Sequence, residues 1–109
     1  MDKAARIEYL KSLMEEDPQD PFAPYALCLE QEGPPEEKAA NWLALTEKFP
    51  QYLPAYYHAG MAIKESGGHQ KALMIWKKGV ELAELQGDRH AAAELRSAIQ
   101  NALVEEDED

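Results

Sequence analysis

Cysteine occurs once in this chain, at Cys28. No internal disulfide is open to it, and an oxidising compartment offers it no advantage. Basic residues are scarce as well: 11 Lys and Arg stand against 21 Asp and Glu, for a formal charge of −10. Nucleic acids and anionic membrane surfaces demand a basic footprint, so this balance argues against both. No apolar stretch approaches the ~20 residues that span a bilayer. The amino-terminal MDKAARIEYLK places charges where a secretory leader needs an apolar run. Together these absences predict a cytoplasmic protein. Strand signals are absent, and 109 residues are enough for one domain with a modest core.

Reactive constellations are missing too. His58, His69 and His90 fall on separate elements, and no pair has metal-ligand spacing with a second ligand. Cys28 has no neighbouring histidine or base in sequence, which reads as a small buried or half-buried thiol rather than a nucleophile. The carboxylates are numerous and solvent-facing, without the Asp-x-Asp-x-Asp-Gly run of a calcium loop. Gly67-Gly68 is a helix stop, not a phosphate cradle. No catalytic residue, metal site or cofactor is expected, and an enzyme is not the reading.

What the chain does have is helix and turn throughout. Ile7, Leu10, Leu13 and Met14 share one face of a helix over 3–16, and Asp17-Pro18 ends it. A second helix starts at Pro21 or at Pro24 and runs to Glu32, with Phe22, Tyr25, Ala26 and Leu29 on one stripe. Pro35 opens a third, carrying Ala39, Trp42 and Leu45 inward. The fourth spans about Leu53 to Ser66 and ends at Gly67-Gly68; the fifth, from Gln70 to Gln86, buries Ala72, Leu73, Trp76, Val80 and Leu82. Asp88 caps a sixth that reaches Val104, with Ala92, Leu95, Ile99 and Ala102 on its apolar side.

These helices repeat. Moving Phe22 forward by 34 residues gives Tyr56, Leu29 gives Ile63, Gly33 gives Gly67, and Trp42 gives Trp76. Tyr56-x2-Ala59-Gly60-x2-Ile63, then Gly67, then Ala72-x3-Trp76-x2-Gly79, resembles the tetratricopeptide repeat, a 34-residue helix-turn-helix unit. The physical sense is direct: small residues at Ala59, Gly60 and Gly79 let helices approach, and Tyr56, Ile63 and Trp76 fill the space between. The first unit, Phe22-x2-Tyr25-Ala26-x2-Leu29 with Gly33, Trp42, Leu45 and Pro50, matches less well. It has Lys38 where the pattern takes a small residue. The run Tyr56-Tyr57-His58-Ala59-Gly60 and the acidic ending are similar to small stand-alone bacterial members of the family.

The resemblance implies an all-α solenoid of antiparallel helix pairs, about six helices in a single domain over 1–104. Its parts are a flanking helix (3–16), two repeats (21–50 and 53–86) and a capping helix (88–104). Residues 105–109, all acidic, form the expected disordered tail, since a run of like charge cannot bury surface. The family implies an adaptor or scaffold that holds a peptide or helix of a partner protein on the concave face, lined by the first helix of each unit. Carried onto this chain, that face presents Leu27, Tyr57, His58, Met61 and Lys64 as partner-binding residues. Three readings are open for Tyr57 and Met61: an exposed groove, a core under the last helix, or incidental apolar surface. A carboxylate clamp is not expected, because Ala23, Leu27, Tyr57 and Met61 occupy the places its lysines and asparagines would need. Charged end helices predict a monomer, with self-association through those ends as the alternative.

Overall fold

The computed structural model describes residues 2–107. Six helices follow one another: α1 (Lys3–Glu16), α2 (Phe22–Glu30), α3 (Pro35–Lys48), α4 (Pro54–Glu65), α5 (His69–Gln86) and α6 (Arg89–Asp107). There is no strand among the described residues. None of these helices is long and apolar enough to cross a membrane.

Local chemistry sets the boundaries. The Asp2 carboxylate accepts from the Ala5 amide at 2.8 Å and caps α1. Asp20 accepts from Phe22 at 3.0 Å, which fixes the start of α2 at the earlier of the two prolines. At the end of α5, Gly87 adopts φ +73°, and the Asp88 amide reaches back to the Ala83 carbonyl at 2.9 Å. That is a left-handed glycine closure. Asp88 then accepts from Ala91 at 3.0 Å and opens α6.

Each helix packs on its successor, and α4 also touches α6. The radius of gyration is 14.7 Å, against ~13 Å for a compact domain of this length. The excess is what stacked hairpins produce. The continuous core is built from α3, α4, α5 and α6, around Trp42, Tyr56, Ile63, Trp76 and Leu95. Trp42 and Trp76, equivalent in the repeat, are both buried, as expected of packing residues. Trp76 lies directly on the α4 backbone. A Cβ added at Gly60 would stand 2.0 Å from its Nε1, and the indole N–H donates to the Tyr57 carbonyl at 3.2 Å. Gly79 plays the matching part: its missing side chain would meet Tyr56 Cβ at 2.9 Å and Leu95 Cδ1 at 3.0 Å.

The first repeat departs from the expected packing. Phe22 and Leu29 are 53% and 51% exposed, whereas their equivalents Tyr56 and Ile63 are 6% and 4%. The α2 helix has only nine residues and meets α3 across a thin seam, while packing well on α1. Tyr25 and Cys28 are the α2 residues that reach the core, and Ala23 is its buried one. The helix is thus turned about its axis relative to α4. From α1, Arg6 pairs with Glu30 at the end of α2 and Lys3 with Glu32 just beyond it, each at 2.6 Å.

The acidic ending also differs from expectation. Helix α6 runs through Asp107, so Glu105 and Glu106 are ordered. Glu105 pairs with Lys64 of α4, and Glu106 lies 3.0 Å from His69 of α5. Lys64 and His69, on two neighbouring helices, thus give these carboxylates partners. Glu108 and Asp109 lie outside the described residues.

Candidate functional site

The spacing of α4 determines which of its side chains remain available. Ala55, Tyr56, Ala59, Gly60 and Ile63 are buried toward α3 and α5. Residues 57, 61 and 64 then recur at helical spacing on another face. Tyr57 and Met61 are 37% and 42% exposed, so α6 flanks them and does not cover them. Their exposure excludes a core under the last helix.

The far wall of this groove is α6. His90, Glu94, Ser97, Asn101 and Glu105 follow one another by three or four residues along the helix, and together with Tyr57, Met61 and Lys64 they line a recess of about 410 Å³. An aromatic ring and a flexible thioether form one side, and a polar stripe the other. His90 Nε2 lies 3.2 Å from Glu94 Oε1 within that stripe. Lys64 is engaged by Glu105 and partly covered, and it closes the end of the groove.

A second recess, of about 440 Å³, adjoins the first and shares Tyr57, His90 and Glu94 with it. His58 faces this one. Its ring stacks on Trp42 (centroids 5.1 Å apart, 18° between planes) and meets Tyr25 and Tyr57 edge to face at 5.8 and 5.6 Å. Burial holds the imidazole below its ordinary pKa, with Glu94 pulling weakly the other way. Tyr25 and Tyr52, edge to face at 5.4 Å, are raised by burial, Tyr52 further by Tyr25 and Asp20.

Leu27 is not brought to this place. It lines a separate apolar recess with Met14, Cys28, Ala44 and Phe49, between α1, α2 and α3. The same turn of α2 that exposes Phe22 and Leu29 carries Leu27 toward α3. The Cys28 thiol beside it is pushed up by burial, which leaves it less reactive. Among the described residues no three His, Cys, Asp or Glu side chains gather as a metal site would require.

The α6 wall was missed by the sequence reading, although its signal was present: polar residues at 90, 94, 97 and 101 run beside the apolar stripe at helical spacing.

Comparison with solved structures places this architecture. A solution structure of a tetratricopeptide repeat domain protein from Salinibacter ruber superposes with a TM-score of 0.71 and is 31% identical, covering 79% of this chain and 89% of that one. The chain belongs to the tetratricopeptide repeat family. A crystal structure of a tetratricopeptide repeat domain protein from the same organism agrees, with a TM-score of 0.69, 29% identity and coverage of 76% and 96%. No family model and no curated protein matches the sequence. Membership of the tetratricopeptide repeat family suggests a protein-interaction module in general.

Proposed function

We propose that this tetratricopeptide repeat protein is a cytoplasmic adaptor that holds a peptide or helix of a partner protein in the groove between α4 and α6. The observation that carries this reading is the exposure of Tyr57 and Met61 side by side, on a helix face that packing leaves unused. Ring and thioether suit an adaptable apolar contact, and the α6 stripe supplies hydrogen-bonding groups for the backbone of a bound segment. Desolvating such anchors contributes ~1.5–3 kcal/mol for each side chain fully buried. His58 supports the groove by fixing the Tyr57 ring, and Lys64 by tying down the end of α6. Leu27, on its own recess, lies outside this site. A scaffold, and not a catalyst, is the reading that family kinship favours.

Affinity capture from native lysate tests it, using the wild type and a Tyr57→Ala, Met61→Ala double variant. Both side chains are substantially exposed, so the double variant should melt within a few degrees of the wild type and lose its captured partners. A folded double variant that keeps every partner would rule out this groove. The protein should run as a monomer in light scattering at micromolar concentration, and a stable dimer there would favour self-association instead.

A further inference from the structure

The geometry points to a cation subsite beside the groove, in which a lysine or arginine side chain of the bound segment enters the recess walled by Tyr25, Tyr52, Tyr57 and His58 and rimmed by Asp88 and Glu94. It rests on the groove reading above and adds the chemistry of the partner to it.

Four features argue for this occupant. The aromatic rings are steeply inclined to one another: 72° between Tyr25 and Tyr52, 61° between Tyr25 and His58, 89° between Tyr57 and His58. All four line one recess of about 440 Å³, which admits a long side chain. Aromatic walls of this kind attract a cation through the ring quadrupole, by ~0.5–1 kcal/mol when exposed and about 2 or more when desolvated. The rim carries carboxylates. Asp88 and Glu94 line it, with His90 beside Glu94 at 3.2 Å, and among the described residues no lysine or arginine does. His58 is held below its ordinary pKa by burial and so presents a neutral ring to the incoming charge. Finally, the recess shares Tyr57 and Glu94 with the groove, so one segment reaches both, an apolar anchor on Met61 and a basic residue about a turn away. The whole chain, at −10, favours approach of such a segment.

The test uses small probes, because no partner sequence is needed to ask whether the recess takes a cation. Arginine amide and citrulline amide, both acetylated on the α-amino group, have nearly the same shape, but only the first carries a charge. Each is titrated into the full-length protein at about pH 8, where free imidazoles are neutral, while ring resonances of Tyr25, Tyr52 and His58 are followed by NMR. Arginine amide should shift these rings saturably and bind about five- to thirty-fold more tightly than citrulline amide. Glu94→Gln, on the exposed side of α6, should weaken arginine amide and leave citrulline amide unchanged. Tyr52→Leu should reduce the difference between the probes. If that variant fails to fold, Glu94→Gln still decides. Equal binding of the two probes, no ring shifts, or an arginine preference untouched by Glu94→Gln would overturn the subsite. Failure here is distinct from failure of the groove. Equal probe binding with capture lost in the Tyr57, Met61 variant removes the cation subsite alone. Arginine selectivity with capture intact removes the groove alone.

Discussion

Replacing Gly60 with alanine sets two rules of helix energetics against each other. Alanine is the better helix former by ~1 kcal/mol, so an isolated α4 would gain. In the folded protein the new methyl would stand 2.0 Å from Trp76 Nε1 and 2.4 Å from Cδ1 and Cε2. Carbon contacts are comfortable at ~3.5–4.0 Å, so the indole must retreat by roughly 1.5 Å. Trp76 is 1% exposed and has no room to do so. Overpacking of this kind costs ~1–3 kcal/mol, and displacing the indole forfeits its hydrogen bond to Tyr57, ~0.5–1.5 kcal/mol. Helix propensity offsets part, leaving a net loss of about 2 kcal/mol. For a domain of this size that is roughly 8–16 °C in Tm. Urea and thermal melts of Gly60→Ala measure it. Trp76→Leu removes Nε1 and Cε2 and leaves only short methyls that can turn aside, so in that background the same glycine substitution should cost at least ~1 kcal/mol less, a coupling the double-mutant cycle reads directly. A neutral or stabilised Gly60→Ala would show that the close approach of Trp76 to α4 is not a constraint, and the packing argument for this repeat would fall.

Trp76→Ala should cost ~3–5 kcal/mol in a urea melt, and a loss below ~1 kcal/mol would contradict its place at the centre of the core. Stability should fall as the pH drops below about 6.5, because the unfolded chain protonates His58 before the folded one does and the deficit grows until the depressed folded pKa is passed. His58→Gln should flatten that part of the profile, and equal slopes from about pH 7.5 to 5.5 would refute the assignment. Deleting residues 105–109 removes the partners of Lys64 and His69 and should cost up to ~1 kcal/mol, most visible at low salt. A truncated chain identical to the wild type at every ionic strength would show that those pairs contribute nothing.

Most of the architecture was legible because its determinants are local. Trp42 and Trp76 share a repeat position, Gly67 and Gly87 close helices, and Asp88 opens one. The parts that escaped depend on helices meeting across the fold. The packing of Phe22 and Leu29 was inferred from a repeat alignment, which assumes that α2 presents the same face as α4. Tyr25, where α4 has Ala59, is too large for that close approach, and the helix is turned instead. The misplacement of Leu27 follows from the same assumption. Glu105 and Glu106 read locally as a self-repelling run, yet Lys64 and His69 are supplied from about forty residues earlier. Tyr57 and Met61 were named by carrying the family's concave face onto α4, where they stand four residues apart on the side that packing leaves unused. Their polar counterpart on α6 needed only the same count of three and four, applied to residues that a search for apolar stripes passes over.

The thin seam between α2 and α3 has a mechanical consequence. Tyr25 rides on the small α1–α2 hairpin, whereas Tyr52, Tyr57 and His58 belong to the larger block formed with α3 to α6. A guest that touches Tyr25 and Tyr52 at once grips both blocks and acts as a latch. Part of its binding free energy goes into holding the hairpin shut, so affinity and hairpin closure are linked quantities. Arg6 with Glu30 and Lys3 with Glu32 brace the hairpin internally, so it would swing as one lever and not unravel residue by residue. Amide exchange in α1 and α2 therefore becomes a gauge of occupancy, one that reads the site from some distance without a label on the guest.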